Sequence, residues 1–137
     1  MSPDIEQKIR RSFAAQAMMT TLGARLVALS DGATVIEAPI LPGSRQQHGF
    51  GHAGLTFAIG DSAAGYAALS LMADGAEVLT TEMKINLLAP AQGERLIARG
   101  RVIKPGRRLV IVQADVYAVQ DGVETHIALL TGTMIPV

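Results

Sequence analysis

The sequence has no cysteine. That one absence excludes thiolate nucleophiles, zinc-thiolate sites and a disulfide framework together, and it is compatible with a reducing cytoplasm, the expected compartment. Charge of one sign is lacking too. Twelve Lys plus Arg face twelve Asp plus Glu, a formal net charge of zero, so no basic field exists to hold a nucleic-acid backbone. Aromatics are few, only Phe13, Phe50, Phe57, Tyr66 and Tyr117, which argues against a base-stacking platform. Nucleic acid is therefore not an expected partner. The first thirteen residues, MSPDIEQKIRRSF, mix both charge signs and lack a continuous apolar core, so they do not read as a secretory signal. The longest greasy stretch, residues 53–72, is interrupted by Asp61 and small polar residues and reads as a buried helix, with no membrane partner. A chain of 137 residues fits one domain over 1–137. A domain of that size buries roughly two thirds of its unfolded surface and needs no metal or disulfide to fold.

What the chain does contain is periodic. Ser2-Pro3-Asp4 is a helix start with a hydroxyl cap, Pro at the first helical position and an acid in the first turn. Ile5, Ile9, Phe13 and Ala17 recur four apart and predict a short amphipathic helix to about Met18. Two β-rich runs, about 24–30 and 33–40, are separated by Asp31-Gly32, which favours a tight hairpin. Residues 41–52, with one Pro and three Gly and no apolar period, read as a loop. After the helix over 53–72, Asp74-Gly75 breaks the chain, and four strands are expected at about 77–88, 94–104, 108–118 and 124–135. Pro105-Gly106 and Asp121-Gly122 supply turns, so neighbouring strands should run antiparallel.

Two strands, one long helix and four strands predict an α+β domain with one helix against an antiparallel sheet. That helix is apolar nearly all round, through Leu55, Phe57, Ile59, Tyr66, Leu69 and Leu71. One flat sheet cannot cover it, so the sheet must curl and a second subunit should cover the rest.

Gly49, Gly51 and Gly54 spell G-x-G-x-x-G, the dinucleotide fingerprint. A strand must precede the first Gly and an acid must end a second strand about twenty residues past the motif; here a loop precedes Gly49 and Asp74 sits in a turn. Gly54 near a helix start does leave main-chain N–H groups unshielded, which suits an anion or a polarised carbonyl oxygen, or marks only a tight turn. Ser62 lies inside a helix and has Ala64 where a nucleophile elbow, G-x-S-x-G, needs a Gly two places after the Ser. His48 and His52 are spaced like metal ligands on a helix, but Gly49 and Gly51 between them argue for a loop, and no metal is expected.

Asp61 is the informative residue. It is the one charged side chain within 53–72, and Asp disfavours helix interiors because its short carboxylate competes for main-chain groups. Its own face carries Gly54, Ala58, Gly65 and Ala68, small residues that leave room beside the carboxylate for a strand, another subunit or a substrate. A catalytic carboxylate and an acid on the helix's open edge, in water or paired with a strand residue, are both compatible with that pattern.

Gln46-x-x-Gly49-x-x-His52-Ala53-Gly54 followed by Asp61 resembles the signature of hotdog-fold acyl-CoA thioesterases of the phenylacetate-pathway (PaaI) type. Their usual form is N-x-x-G-x-x-H-G-G with an Asp seven residues after the last Gly. The resemblance continues through Thr80 to Asn86, Ala89-Pro90-Ala91, Gly100-Arg101-Val102 and Lys104-Pro105-Gly106-Arg107, over about residues 40–135. It implies a hotdog, a curved antiparallel sheet wrapped around one long helix, here with a short N-terminal helix. It implies a homodimer, often paired into a dimer of dimers, with the active site between subunits and an acyl-CoA as the partner.

In the roles the resemblance implies, Asp61 is the general base that activates water, or the nucleophile, and His52 belongs to the motif beside it. The Gly54 N–H polarises the thioester carbonyl and steadies its oxyanion. Gln46 stands where the family has a water-positioning Asn, and Gln47 is the alternative. Thr80 stands where some relatives carry a hydroxyl from the facing subunit, with Thr81 the alternative, since strand alternation lets only one face the site. Lys104, Arg107 and Arg108 flank a turn and could hold the CoA phosphates, and Phe50, Phe57 and Leu87 could line the acyl tunnel. CoA belongs to the substrate, and no separate cofactor is expected. A hotdog dehydratase fits less well, because it would pair the helix acid with a His. The competing reading from another class is a non-catalytic acyl-CoA binding or sensing module.

Overall fold

The computed structural model describes residues 1–137. Helix α1 (Pro3–Ala15) begins as the sequence predicts, with the Ser2 hydroxyl accepting from the Ile5 N–H at 3.2 Å. It stops three residues before the expected Met18. Gln16 is extended (φ −74°, ψ 102°), and a second short helix, α2 (Ala17–Leu22), restarts beyond it. Two non-local contacts account for the break: the Gln16 side chain leaves to bond Tyr66, and the restart sinks Met19 into the core. Gly23, left-handed at φ 69°, ends α2 and turns the chain into the sheet.

Strands β1 (Arg25–Ser30) and β2 (Ala33–Pro39) form the expected hairpin across Asp31-Gly32. The loop that follows holds a single 3-10 turn (Pro42–Ser44) and leads into α3 (Ala53–Leu69). Helix α3 ends one turn short of Met72 because Ser70 caps it. The Ser70 hydroxyl donates to the Ala67 carbonyl and accepts from the Gly32 N–H, both at 2.7 Å. Strands β3 (Val78–Leu87), β4 (Arg95–Pro105), β5 (Val110–Gln120) and β6 (Val123–Pro136) complete one antiparallel sheet in the order β1-β2-β4-β5-β6-β3. The chain between β2 and β3 must cross the whole sheet, and α3 makes that crossing.

The fold is thus α+β, a hotdog: a six-stranded antiparallel sheet curled around one central helix, with two short N-terminal helices where one was expected. Helix α3 lies against β2, β3, β4, β5 and β6 and buries eleven residues. Val110, Val112, Ala114 and Val116 of β5 face the helix, while Gln113, Asp115 and Tyr117 alternate outward. The one open edge of α3 runs through Gly54, Phe57, Ala58, Asp61 and Ser62. Along its rim, edge strand β3 leaves Leu79 53% and Leu87 58% exposed. No helix is long and apolar enough to cross a membrane.

Candidate active site

The loop before α3 folds on Gln46. Its side-chain Oε1 accepts from the His48 N–H at 2.5 Å and the Phe50 N–H at 3.3 Å, and its own N–H donates to the Phe50 carbonyl at 2.9 Å. The carbonyl end of the amide therefore holds the loop, and Nε2 is the end left for other work. Gln46 lines a cavity of about 590 Å³ with His52, Phe50 and Leu87, beside the start of α3. Gln47 is exposed and stands outside that cavity.

His52 is the N-cap of α3, and its Nδ1 accepts from the Gly54 N–H at 2.7 Å. Two consequences follow for the expected oxyanion donor. Gly54 does not present a free N–H, because the imidazole already occupies it. Leu55 and Thr56 donate to the His52 carbonyl, at 3.0 and 3.3 Å, so the Ala53 N–H alone of the first turn makes no hydrogen bond within the chain. With Nδ1 accepting, the His52 proton is on Nε2. The other imidazoles lie elsewhere: His48 is exposed in the loop, and His126 pairs with Asp115 at 3.0 Å on the outer face of the sheet.

Asp61 is half-buried on the open edge of α3, two turns past Gly54, and seven residues of helix put about 10 Å between them. The chain alone therefore does not unite the two halves of the expected site. Asp61 opens onto a separate cavity of about 240 Å³, and none of the residues around the helix start lines it. Its Oδ1 accepts from the Thr80 hydroxyl at 2.9 Å. Burial pushes the Asp61 carboxyl above the ordinary Asp value of 3.8, and the Thr80 hydrogen bond acts against that rise by favouring the ionised form.

Between the two threonines the structure chooses Thr80, and a bulge is the reason. The pairing of β3 with β6 slips between Thr80 and Glu82, so Val78 and Thr80 point toward the helix, then Met83 and Ile85. Thr81 is turned out and donates to the Thr133 carbonyl at 3.0 Å. The Thr80 hydroxyl thus belongs to the same chain as the Asp61 it bonds, where the resemblance implied a facing subunit. Lys104, Arg107 and Arg108 are exposed around the β4-β5 turn. Arg107 lies beside Leu71 and Met72, past the C-terminal end of α3 and away from the helix-start cavity.

One group near Asp61 escapes sequence reasoning. Ser12 and Gln16 of the N-terminal segment meet Tyr66 of α3, and all three line the Asp61 cavity. Fifty residues separate Gln16 from Tyr66, and no local pattern marks the contact.

Residues 48–125 match the family model described as the thioesterase superfamily. A solved thioesterase family protein from Silicibacter pomeroyi is 48% identical, with 97% of this chain and 98% of that chain covered and a TM-score of 0.95. The E. coli PaaI protein from the phenylacetic acid degradation operon is 20% identical, covered over 97% of this chain and 93% of its own, with a TM-score of 0.85, a likeness of fold. Two proposed esterases of Saccharolobus solfataricus are 28% and 36% identical over 69% and 61% of this chain. The match spans 66% and 53% of the length of those curated relatives.

Proposed function

Because the chain belongs to the thioesterase superfamily, we propose that it hydrolyses an acyl-CoA thioester to the free acid and CoA. The observation that carries this reading is the Asp61 carboxylate, half-buried in an apolar helix, held by one hydroxyl and open to a cavity. Asp61 takes a proton from water as the water oxygen bonds to the thioester carbonyl carbon. Negative charge gathers on the carbonyl oxygen, and main-chain N–H groups at the start of α3 hold it there. The C–S bond then breaks, and the proton on Asp61 passes to the departing CoA sulfur, which restores the carboxylate. The Ala53 N–H is open to the oxyanion as it stands, and the Gly54 N–H joins it once the His52 ring turns away. Gln46 Nε2 positions the water or the carbonyl from the cavity wall.

In this reading a second copy completes the site. The free edge of β3, with Leu79 and Leu87 exposed, supports a homodimer joined along the sheets, in which one protomer's Asp61 meets its partner's helix start. Two such dimers pair in the proposed assembly. The test is free-thiol release from a panel of acyl-CoA esters, including phenylacetyl, benzoyl and straight chains. No release from any ester, with tight binding retained, would replace the hydrolase by an acyl-CoA binding protein.

The pH profile carries the mark of Asp61. A base held above its ordinary range is still protonated where an exposed Asp is ionised, so the acid limb of kcat/KM lies above the ordinary Asp value of 3.8. Thr80→Val removes the one contact that favours the carboxylate and moves that limb to higher pH. A limb that stays in place or moves down would separate Thr80 from the base. The same raised value makes ionised Asp61 a cost to the fold. Its contribution to stability is present below the unfolded-state value and is lost as pH rises through the folded one.

Lys104, Arg107 and Arg108 are the cations proposed for the CoA phosphates. Arg107→Ala is expected to raise KM for a CoA ester more than for the same acyl group on a short thiol. Equal changes on the two esters would take the phosphate contact away from Arg107.

A further inference from the structure

The cavity beside Asp61 has a far wall that the hydrolysis step does not use. It is built by the end of α1 and the break after it. Gln16 Nε2 donates to the Tyr66 hydroxyl at 2.7 Å, and the Ser12 and Tyr66 hydroxyls share a hydrogen bond at 2.9 Å. The Tyr66 ring is fixed edge-on against Phe13, with ring centres 6.2 Å apart. The three polar groups hold one another without exhausting their capacity. Each hydroxyl offers one proton and two acceptor sites, and the amide offers two donors and a carbonyl. The two contacts leave Gln16 Oε1 and further hydroxyl sites for a third party in the cavity.

Size and charge narrow what that third party can be. The cavity measures about 240 Å³, and a protein cavity of about 150 Å³ already takes a benzene ring. A short chain or a single ring therefore fits. Gly65, one turn beyond Asp61, keeps the space open, because a Cβ there would meet only Met134 Cε at 3.8 Å. The charged groups on the lining are Asp61 and Glu77, with no Lys, Arg or His among them. Lys8 compensates Glu77 at 3.3 Å, which leaves the field of Asp61 across the cavity. An anionic group placed there would face a carboxylate in a half-buried site.

Building on the acyl-CoA reading above, we propose that this cavity receives the far end of the acyl group, and that Ser12, Gln16 and Tyr66 select ends carrying a neutral hydrogen-bonding group over alkyl or carboxylate ends. Their role is specificity. An alkyl end shuts water out and leaves Gln16 Oε1 and the spare hydroxyl sites of that wall unpaired, and a site built to hydrogen-bond its substrate discriminates against an analogue that lacks the group. The N-terminal segment thereby becomes part of the substrate site.

The experiment compares kcat/KM, by thiol release, for three CoA esters of matched chain length: an ω-hydroxyacyl, the plain alkyl and an ω-carboxyacyl ester. Wild type is expected to favour the hydroxyacyl ester over the alkyl ester about tenfold or more, on the usual worth of one hydrogen bond, with the carboxyacyl ester slowest. Gln16→Leu should bring the hydroxyacyl-to-alkyl ratio close to one. Tyr66→Phe, which keeps the ring against Phe13, should lower it in the same direction. A wild-type ratio near one, or a ratio untouched by both variants, with all esters still hydrolysed, would overturn this assignment and leave the hydrolase reading standing. No release from any ester would overturn the hydrolase reading, and this assignment with it.

Discussion

Asp61→Asn is expected to lower kcat/KM for an acyl-CoA ester by about a hundredfold or more, the usual scale for loss of a general base. The substitution is nearly isosteric. The amide oxygen can still accept from the Thr80 hydroxyl, which now lies 2.9 Å from Asp61 Oδ1, so the local geometry should survive. What the amide cannot do is take a proton from water. The same change should leave stability equal or higher at neutral pH. Burial already disfavours the ionised carboxylate, as its raised pKa records, and a neutral amide removes that cost. Activity and stability are therefore expected to part company in one variant, which a simple packing defect would not produce. Thiol release and a thermal midpoint measured on the same preparation check both. A folded variant with full activity would remove Asp61 from the chemistry.

The strands and the central helix are legible in the sequence because their signals are local. The alternation of Val110, Val112, Ala114 and Val116 needs only the two faces of a strand to be interpreted, and Asp31-Gly32 needs only the chirality of a two-residue turn. An apolar helix carrying one acid is legible for the same reason, and it directs attention to Asp61.

What the sequence hides depends on distant partners. Thr80 and Thr81 are indistinguishable by alternation, since the slip that turns Thr80 inward arises from the pairing of β3 with β6, Thr80 opposite Met134 and Glu82 opposite Thr133. The end of α1 at Gln16 answers to Tyr66, and the end of α3 to the contact of Ser70 with Gly32. At the candidate site, residue types and spacing suggest a base and a helix-start donor. They do not reveal that His52 caps Gly54, that Gln46 turns its carbonyl into the loop, or that Asp61 opens onto a different cavity from both. Side-chain direction and cavity shape are tertiary properties, and they decide which residues can meet.

Gly100→Ala should be the most damaging small substitution in the sheet, costing about 3 kcal/mol or more and in the extreme preventing soluble expression. Gly100 lies on β4 beneath the middle of α3, paired with Thr34 of β2 on one side and Ala114 of β5 on the other. A Cβ there would stand 2.4 Å from the Ala63 carbonyl carbon, 2.5 Å from its oxygen and 2.6 Å from the Ala64 nitrogen. All three atoms are helix main chain, so no side chain can rotate out of the way. The helix would have to lift off the sheet, which would loosen the bond from the Thr34 hydroxyl to the Ala63 carbonyl and open the packing along Ile59 and Ala63. Gly65→Ala supplies the contrast. It adds the same methyl to a buried glycine two residues beyond Ala63, but there the nearest atom is Met134 Cε at 3.8 Å. With no clash to offset it, the better helix propensity of Ala should leave that variant as stable as wild type or up to about 1 kcal/mol more stable. Urea unfolding of the two variants beside wild type measures the difference. The depth at which α3 rests on Gly100 also sets where Asp61 sits relative to Thr80 on β3, so any Gly100→Ala protein that does fold should lose turnover along with stability. A Gly100→Ala midpoint equal to that of wild type would mean that the helix rides higher on the sheet than these distances place it.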